Sequence, residues 1–185
     1  LDEGDSLVSA IFIDEDDDAM IITRNGKGLR FHAEDVRTMG RATHGVRGIK
    51  LLGDDEVVAA VKVDDSKRIL MITANGKGKQ VRFDDFMAHS RGTMGQKIYT
   101  VDEGGLVSAV AVDDDTDVVF ITLKGQTIRV HAKDISIQGR AAMGVKVASF
   151  KKKDDSVNAI AVTGYEEEPD EEAEEESPAS DGSES

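Results

Sequence analysis

The stretch "MIITRNGKGLRF", residues 20–31, decides the fold: two strand-like runs flank Asn25-Gly26-Lys27-Gly28. Asn-Gly between apolar runs predicts a β-hairpin, with a type I′ turn whose two central residues have positive φ. The loop lacks the Gly-x4-Gly-Lys-Ser/Thr pattern of a P-loop, and no helix follows it, as a dinucleotide fingerprint would require. A single copy therefore predicts only a hairpin turn with an exposed lysine.

The same pattern recurs about every fifty residues. Gly26, Gly76 and Gly125 step by 50 and 49 residues, and a glycine and an arginine farther along each copy follow the same spacing. The third copy, "LKGQT", keeps a basic residue but drops one glycine, so the turn geometry matters more than a strict loop motif. Self-similarity at this period is typical of solenoids, propellers and arrays.

Each copy is predicted to form four strands. A β-branched run such as "LVSAIFI" (7–13) ends in an acidic turn, and the hairpin supplies the next two strands. The return strand, as in "KQVRFDD", alternates polar and apolar residues as a half-exposed strand would. A shorter run such as "GVRGIKL" (45–51) is the fourth. This pattern predicts an all-β, propeller-like repeat of four-stranded blades.

The leftover strand "SVNAIAVTG" favours blades that exchange a strand with their neighbours. If each blade used four consecutive strands, this segment would leave an open edge, whereas an exchanged strand would close the third blade. Three blades are fewer than the four to eight that close a propeller, and the chain starts at Leu1, so we expect a preceding part. The predicted domain spans residues 1–164, with repeats at about 5–54, 55–104 and 105–155 and a closing strand at 156–164.

Composition narrows the function classes. Hydrophobic residues make up 39% of the 185 residues and aromatic residues 4%, so the core must be aliphatic. The absence of cysteine excludes disulfides, thiolate metal sites and cysteine nucleophiles. No apolar run approaches the length of a membrane span, so we expect a cytoplasmic protein without a membrane partner.

The charge is segregated along the chain. The net charge of −14 argues against a nucleic-acid partner, but residues 166–184 carry eleven acids and no base, which leaves −3 for the rest. This composition predicts a disordered acidic tail at 165–185. Elsewhere acidic turns alternate with basic segments: residues 22–50 and 66–97 each carry +5, and residues 118–153 carry +7.

A second repeated element, Gly/Ser-Arg-x3-Gly-x-Lys/Arg, lies in "VRTMGRATHGVRGIK" (36–50), "FMAHSRGTMGQKIY" (86–99) and "ISIQGRAAMGVKVA" (135–148). A packed core does not need arginine at this register, and flanking glycines allow the close approach of a polyanion. A basic edge in every repeat suits a bent phosphate backbone. The alternative is a solvated charged face that the acidic turns balance.

The sequence predicts no catalytic residue, metal site or cofactor. Its four histidines lack metal-ligand spacing. The run "DEDDD" (14–18) begins like a calcium loop, but Ala19 and Asn25 stand where an EF-hand needs glycine and glutamate. We therefore expect a binding module.

The segments "ITRNGKGLRF" and "VRTMGRATHGVRGIKL" resemble the blade motif of the C-terminal domain of bacterial DNA gyrase A, a non-catalytic part of a type IIA topoisomerase. The resemblance runs through all three copies and implies a β-pinwheel that binds, bends and wraps double-stranded DNA without sequence specificity. It implies support of ATP-dependent negative supercoiling in an A2B2 enzyme, with the rest of gyrase A and gyrase B as partners, at the bacterial nucleoid. The predicted DNA-binding residues are Arg24, Lys27, Arg30, Arg37, Arg41, Arg47, Lys50, Lys77, Lys79, Arg82, Arg91, Lys97, Lys124, Arg129, Arg140 and Lys146.

Two alternatives remain open. The A-type subunit of topoisomerase IV carries a similar, more degenerate domain, and the Gln-Arg-Arg-Gly-Gly-Lys-Gly box of gyrase does not occur in this chain. The chain alone is therefore expected to bind and bend DNA without wrapping it fully. In some family members an acidic tail tunes wrapping by competing with DNA. The second alternative belongs to another functional class: a propeller-like scaffold that would bind a basic protein through the acidic segments.

Overall fold

The computed structural model describes residues 3–41 and 43–164, so the predicted tail at 165–185 lies outside the described residues. The described chain is all-β, as predicted, with short 3-10 helices at Ala33–Asp35, Phe83–Asp85 and Ala132–Asp134. In this part of the chain no helix has the length and apolar character to cross a membrane. The strands are β1 (Asp18–Thr23), β2 (Lys27–His32), β3 (Val57–Lys62), β4 (Arg68–Thr73), β5 (Lys77–Arg82), β6 (Gln96–Lys97), β7 (Leu106–Val112), β8 (Thr116–Thr122), β9 (Thr127–His131), β10 (Val145–Lys146) and β11 (Val157–Gly164).

The strands form one antiparallel sheet per repeat, and each sheet borrows strands from the next repeat. The strand orders are β3-β1-β2-β6, β10-β5-β4-β7 and β11-β8-β9. In the first sheet the β1–β2 hairpin belongs to the first repeat, whereas the inner strand β3 and the outer strand β6 belong to the second. The third sheet takes β11 as its inner strand, paired with β8. Strands are thus exchanged between neighbouring blades.

The hairpin turns differ from the predicted type I′ geometry. The Gly26 N–H donates to the Thr23 carbonyl oxygen at 3.1 Å, and the Lys27 N–H donates to Thr23 Oγ1 at 3.2 Å. Gly26 has a φ of +78°, but Asn25 does not adopt positive φ. The prediction was wrong because the loop has three residues, of which only the glycine is left-handed, as in hairpins with a G1 bulge.

The turn glycines are also docking points for the outer strands. The Gly26 carbonyl oxygen accepts from the Ile98 N–H at 2.9 Å and the Tyr99 N–H at 3.3 Å. A Cβ at Gly26 would lie 2.6 Å from the Tyr99 carbonyl oxygen, and one at Gly76 would lie 2.7 Å from that of Ala148. Glycine therefore serves both the backbone conformation and the close approach of the exchanged strand.

The middle sheet is buried on both faces. Side chains alternate along β4, so Ile69 packs into the cluster shared with the first sheet, whereas Leu70 packs into the cluster shared with the third. Residues 78–81 of β5 are all buried, while no residue of β9 in the third sheet is fully buried. The prediction of a half-exposed return strand is therefore wrong for β5, because sheets flank it on both sides.

The first repeat lacks two of its predicted strands. Residues 7–13 and 45–51 lie in no strand, and the side chains of Leu7 and Phe12 are exposed. In the exchange pattern these segments would pair with a sheet that precedes the first one, and the described residues contain no such sheet. The strand prediction failed here because a β-strand needs a partner for its backbone groups.

Candidate nucleic-acid interface

Strand exchange places lysines directly opposite each other on the outer edges of two sheets. Lys27 of β2 is paired with Lys97 of β6, and Lys77 of β5 is paired with Lys146 of β10. We call these four side chains the outer-edge lysines. Directly opposed residues have Cβ atoms about 4.5–5.5 Å apart, where like charges are destabilising. A bound polyanion would relieve this repulsion.

Many of the predicted DNA-binding residues are exposed and form no ion pair with a described residue. Among the described carboxylates, one approaches an outer-edge lysine: Asp102 lies 3.4 Å from Lys77 Nζ. Cations without such partners keep their charge available to anions in solution. The exposed members of the predicted set that form no ion pair with a described residue are Arg37, Arg41, Arg47, Lys50, Lys97, Lys124, Arg140 and Lys146.

Other predicted residues form exposed pairs that an anion can replace. Arg24 pairs with Glu56 at 2.7 Å, and Arg82 pairs with Asp84 at 2.9 Å. The hydrogen bond from Arg82 lowers the pKa of Asp84 below its ordinary value. Such exposed pairs contribute little to stability, so a phosphate can compete for the guanidinium. Lys124 Nζ donates to the Lys153 carbonyl oxygen at 2.5 Å.

Arg30 lies between blades rather than on the outer edge. Its Nε donates to Asp18 at 2.6 Å, and its other nitrogens donate to Asp65 at 2.9 Å and to the Phe83 carbonyl oxygen at 3.0 Å. Only 13% of its side chain is exposed. Arg129 pairs in the same way with the buried Asp117 of the third sheet, although its own side chain is partly exposed.

Lys79 is the predicted DNA-binding residue that the structure buries. Its side chain is 0% exposed, and its Nζ donates to the carbonyl oxygens of Gly139 at 2.9 Å and Arg140 at 2.7 Å. The Nζ lies 4.9 Å from the centroid of the Tyr99 ring, a cation–π geometry. Burial lowers the pKa of Lys79 to about 8. The prediction of an exposed contact is wrong because a loop of the third repeat covers this position.

Two arginines of the second repeated element are tethered to the preceding repeat. Arg91 donates to the carbonyl oxygens of Asp35 at 2.7 Å and Arg47 at 3.2 Å. Arg140 donates to Gln96 Oε1 at 2.6 Å. Nothing in the sequence pattern signals Gln96 as a partner, because the pairing depends on which loops the exchange brings together.

The glycines of this element pack against the neighbouring blade. A Cβ at Gly95 would lie 2.5 Å from the Gly28 carbonyl oxygen, and one at Gly144 would lie 2.7 Å from that of Gly78. Both glycines also have positive φ, +63° and +82°. The close approach that the sequence assigns to a polyanion is therefore made, at these two positions, by a strand of the preceding repeat.

Comparison with known families gives a match to each repeat. The family described as DNA gyrase C-terminal domain, beta-propeller, matches residues 17–64, 67–112 and 116–163, which together make up more than half of the chain. Each matched segment contains one hairpin and the inner strand that follows it from the next repeat. Each match therefore covers three strands of one sheet, whereas the outer strands β6 and β10 fall in the match that follows the sheet they join.

Individual relatives and solved structures agree with this match. Over 56 residues the chain is 46% identical to the DNA gyrase A protein of Klebsiella oxytoca, and over 57 residues it is 46% identical to that of Mycolicibacterium smegmatis. Each stretch is 30% of this chain but only 6% and 7% of the two relatives. A solved DNA gyrase A C-terminal domain is similar with a TM-score of 0.74 and 28% identity, over 80% of this chain and 51% of that one. The C-terminal domain of DNA topoisomerase IV has a similar fold, with a TM-score of 0.82 and 21% identity over 89% and 52% of the two chains.

Proposed function

Because the chain belongs to the DNA gyrase C-terminal domain family, we propose that it binds double-stranded DNA without sequence specificity. The observation that carries the proposal is the opposition of Lys27 to Lys97 and of Lys77 to Lys146. This arrangement disfavours the free protein and favours an anion-bound state. Phosphates lie at regular intervals on DNA, and lysines that repeat from blade to blade can contact several of them.

The binding is proposed to bend the DNA. Contacts to phosphates position a duplex but carry no base information, so selectivity comes from how easily the DNA deforms. Smooth bending of a 20–30 bp site by 40–90° costs roughly 1–6 kcal/mol. Contacts on successive blades offset that energy through counterion release, which makes the affinity steeply dependent on salt.

In the complete enzyme, we propose that the chain contributes to wrapping DNA for ATP-dependent negative supercoiling. The proposed partners are the remainder of gyrase A together with gyrase B, in the bacterial cytoplasm on nucleoid DNA. We assign no catalytic step to this chain. Gyrase is favoured over topoisomerase IV because the curated relatives with 46% identity are gyrase A proteins, whereas the topoisomerase IV likeness, at 21% identity, concerns the fold.

A charge-matched pair of variants tests the DNA interface. Lys97→Gln/Lys146→Gln removes two outer-edge charges, whereas Lys62→Gln/Lys67→Gln removes two charges that pair with Asp17 and Asp113. DNA mobility shifts are measured across a salt series. The outer-edge variant should bind more weakly, and its log–log salt slope should be shallower by up to about 1.8, at about 0.9 per lost phosphate contact. The control should keep the wild-type slope.

Equal slopes for the two variants would mean that the outer-edge lysines do not contact DNA. A wild-type chain that does not shift DNA at low salt would overturn the proposed function. In that case the scaffold alternative predicts binding to a basic protein instead. A titration with a basic protein in place of DNA, across the same salt series, would detect it.

A further inference from the structure

Lys79 is a buried cation without a carboxylate partner among the described residues, and it lies beside Met71 on the face of the second sheet that packs against the first. Its Nζ contacts the Gly139 and Arg140 carbonyl oxygens and the ring of Tyr99. Within the described chain no Asp or Glu side chain forms an ion pair with it. Burying an unpaired charge is unfavourable unless hydrogen bonds compensate, and burial lowers the pKa of this lysine. An apolar side chain would fill this position at a lower free-energy cost, so a role for the lysine is to be sought in its hydrogen bonds.

Its contacts belong to a longer set that orients a loop of the third repeat. Thr100 Oγ1 donates to the Ala141 carbonyl oxygen at 2.7 Å, and the Thr100 N–H donates to the Ala142 carbonyl oxygen at 3.2 Å. Together, Lys79 and Thr100 engage the four successive carbonyl oxygens of residues 139–142. Both donors belong to the second repeat, so the neighbouring blade sets the conformation of this loop.

Holding the carbonyl oxygens inward turns N–H groups outward. In a trans peptide unit the C=O of one residue and the N–H of the next point in opposite directions. The N–H groups of Arg140, Ala141 and Met143 make no hydrogen bond to a described residue, and all three residues are exposed. The Ala142 N–H instead closes a turn on the Gly139 carbonyl oxygen at 3.0 Å. Successive free N–H groups on a loop form an anion-binding concavity.

A buried lysine at this position occurs in one repeat, so the other repeats can be compared with it. Leu29 and Ile128 occupy the position of Lys79 in the first and third repeats. In the corresponding loop of the second repeat, the Gly92 N–H donates to the Gly48 carbonyl oxygen at 2.5 Å, so the N–H equivalent to that of Ala141 is already occupied. The N–H groups of Arg91 and Met94, equivalent to those of Arg140 and Met143, also make no hydrogen bond to a described residue. The free N–H that accompanies the lysine is therefore that of Ala141.

We propose that Lys79 is a positioning residue for a DNA phosphate site formed by the backbone N–H groups of Arg140, Ala141 and Met143. This proposal rests on the proposed DNA binding, because the site would make one of the phosphate contacts of that complex. Lys79 withdraws the carbonyl oxygens of residues 139 and 140, which would repel a phosphate, and the Arg140 side chain adds a positive charge beside the N–H groups.

The test uses the 15N-labelled full chain titrated with a short DNA duplex at low salt. In the wild type, the amide signals of Ala141 and Met143 should shift together with that of Lys97. In Lys79→Met, the Ala141 and Met143 shifts should fall several-fold while the Lys97 response persists. Leu29→Met, at the same repeat position, should leave all responses unchanged.

Thr100→Val provides a second variant, because it removes only the hydroxyl that holds the Ala141 carbonyl oxygen. It should weaken the Met143 and Ala141 responses in a chain whose core is otherwise intact. If the wild type binds DNA and both variants retain full responses at Ala141 and Met143, the phosphate site is refuted. If the wild type shows neither amide shifts nor a mobility shift, the DNA-binding function itself fails.

Discussion

The exchanged outer strand should make two equivalent glycines differ in their tolerance of a side chain. Gly76 and Gly125 occupy the same turn position with φ of +78° and +80°. A left-handed alanine costs about 1–2 kcal/mol at either position. At Gly76 the new Cβ would also lie 2.7 Å from the Ala148 carbonyl oxygen, whereas at Gly125 it would meet nothing within 4 Å. In the described part of the chain, the third sheet has no outer strand to displace.

The extra loss at Gly76 can be worked from its hydrogen bonds. Its carbonyl oxygen accepts from the Val147 and Ala148 N–H groups at 2.9 and 3.1 Å, and each such bond contributes about 0.5–1.5 kcal/mol. Gly76→Ala should therefore lose about 1–3 kcal/mol more than Gly125→Ala. At roughly 2–4 °C per kcal/mol, the melting temperatures should differ by about 2–12 °C. Circular dichroism melts of both variants in one buffer measure this gap, and equal melting temperatures would refute the docking role of the outer strand.

Two further predictions concern charge. Above pH 8 the folded state loses the Lys79 proton, whose pKa is about 8, while the unfolded state keeps it up to about 10.5. The free energy of unfolding should therefore rise between these pH values by at most about 3 kcal/mol. Urea titrations at several pH values measure this rise, which should be smaller in Lys79→Met. An identical rise in the variant would contradict the burial of the charge. Deleting residues 165–185, which include eleven acids, should strengthen DNA binding, most clearly at low ionic strength; unchanged mobility shifts would mean that the tail does not compete with DNA.

The hairpins and the strand exchange could be predicted because they depend on local or repeated signals. Glycine at the end of an apolar run signals a turn in one copy, and the leftover strand at 156–164 signals exchange through the repeat count. The turn type could not be predicted in the same way. Asn-Gly permits two left-handed residues, but the Thr23 hydroxyl and the docked outer strand favour a loop with one.

Burial of individual side chains depended on which faces the neighbouring blades cover. "KQVRFDD" and "QTIRVHA" have similar alternation, yet β5 is buried on both faces and β9 contains only exposed and half-buried residues. No property of either segment encodes this difference, because it arises from position in the row of blades. For the same reason Lys79 could not be separated in the sequence from the exposed lysines around it.

The outer-edge lysines also have an explanation that does not involve DNA. Charged residues, lysine above all, protect exposed sheet edges from pairing with other chains, and β6 and β10 are short edge strands of two residues each. Edge protection, however, needs only one charge per strand and is best served by placing an acid opposite each lysine, which adds a favourable cross-strand pair. Lysine instead faces lysine in both four-stranded sheets, although the chain as a whole is acidic. Lysines that oppose each other at both edges are better explained by a polyanionic partner than by protection of the edges.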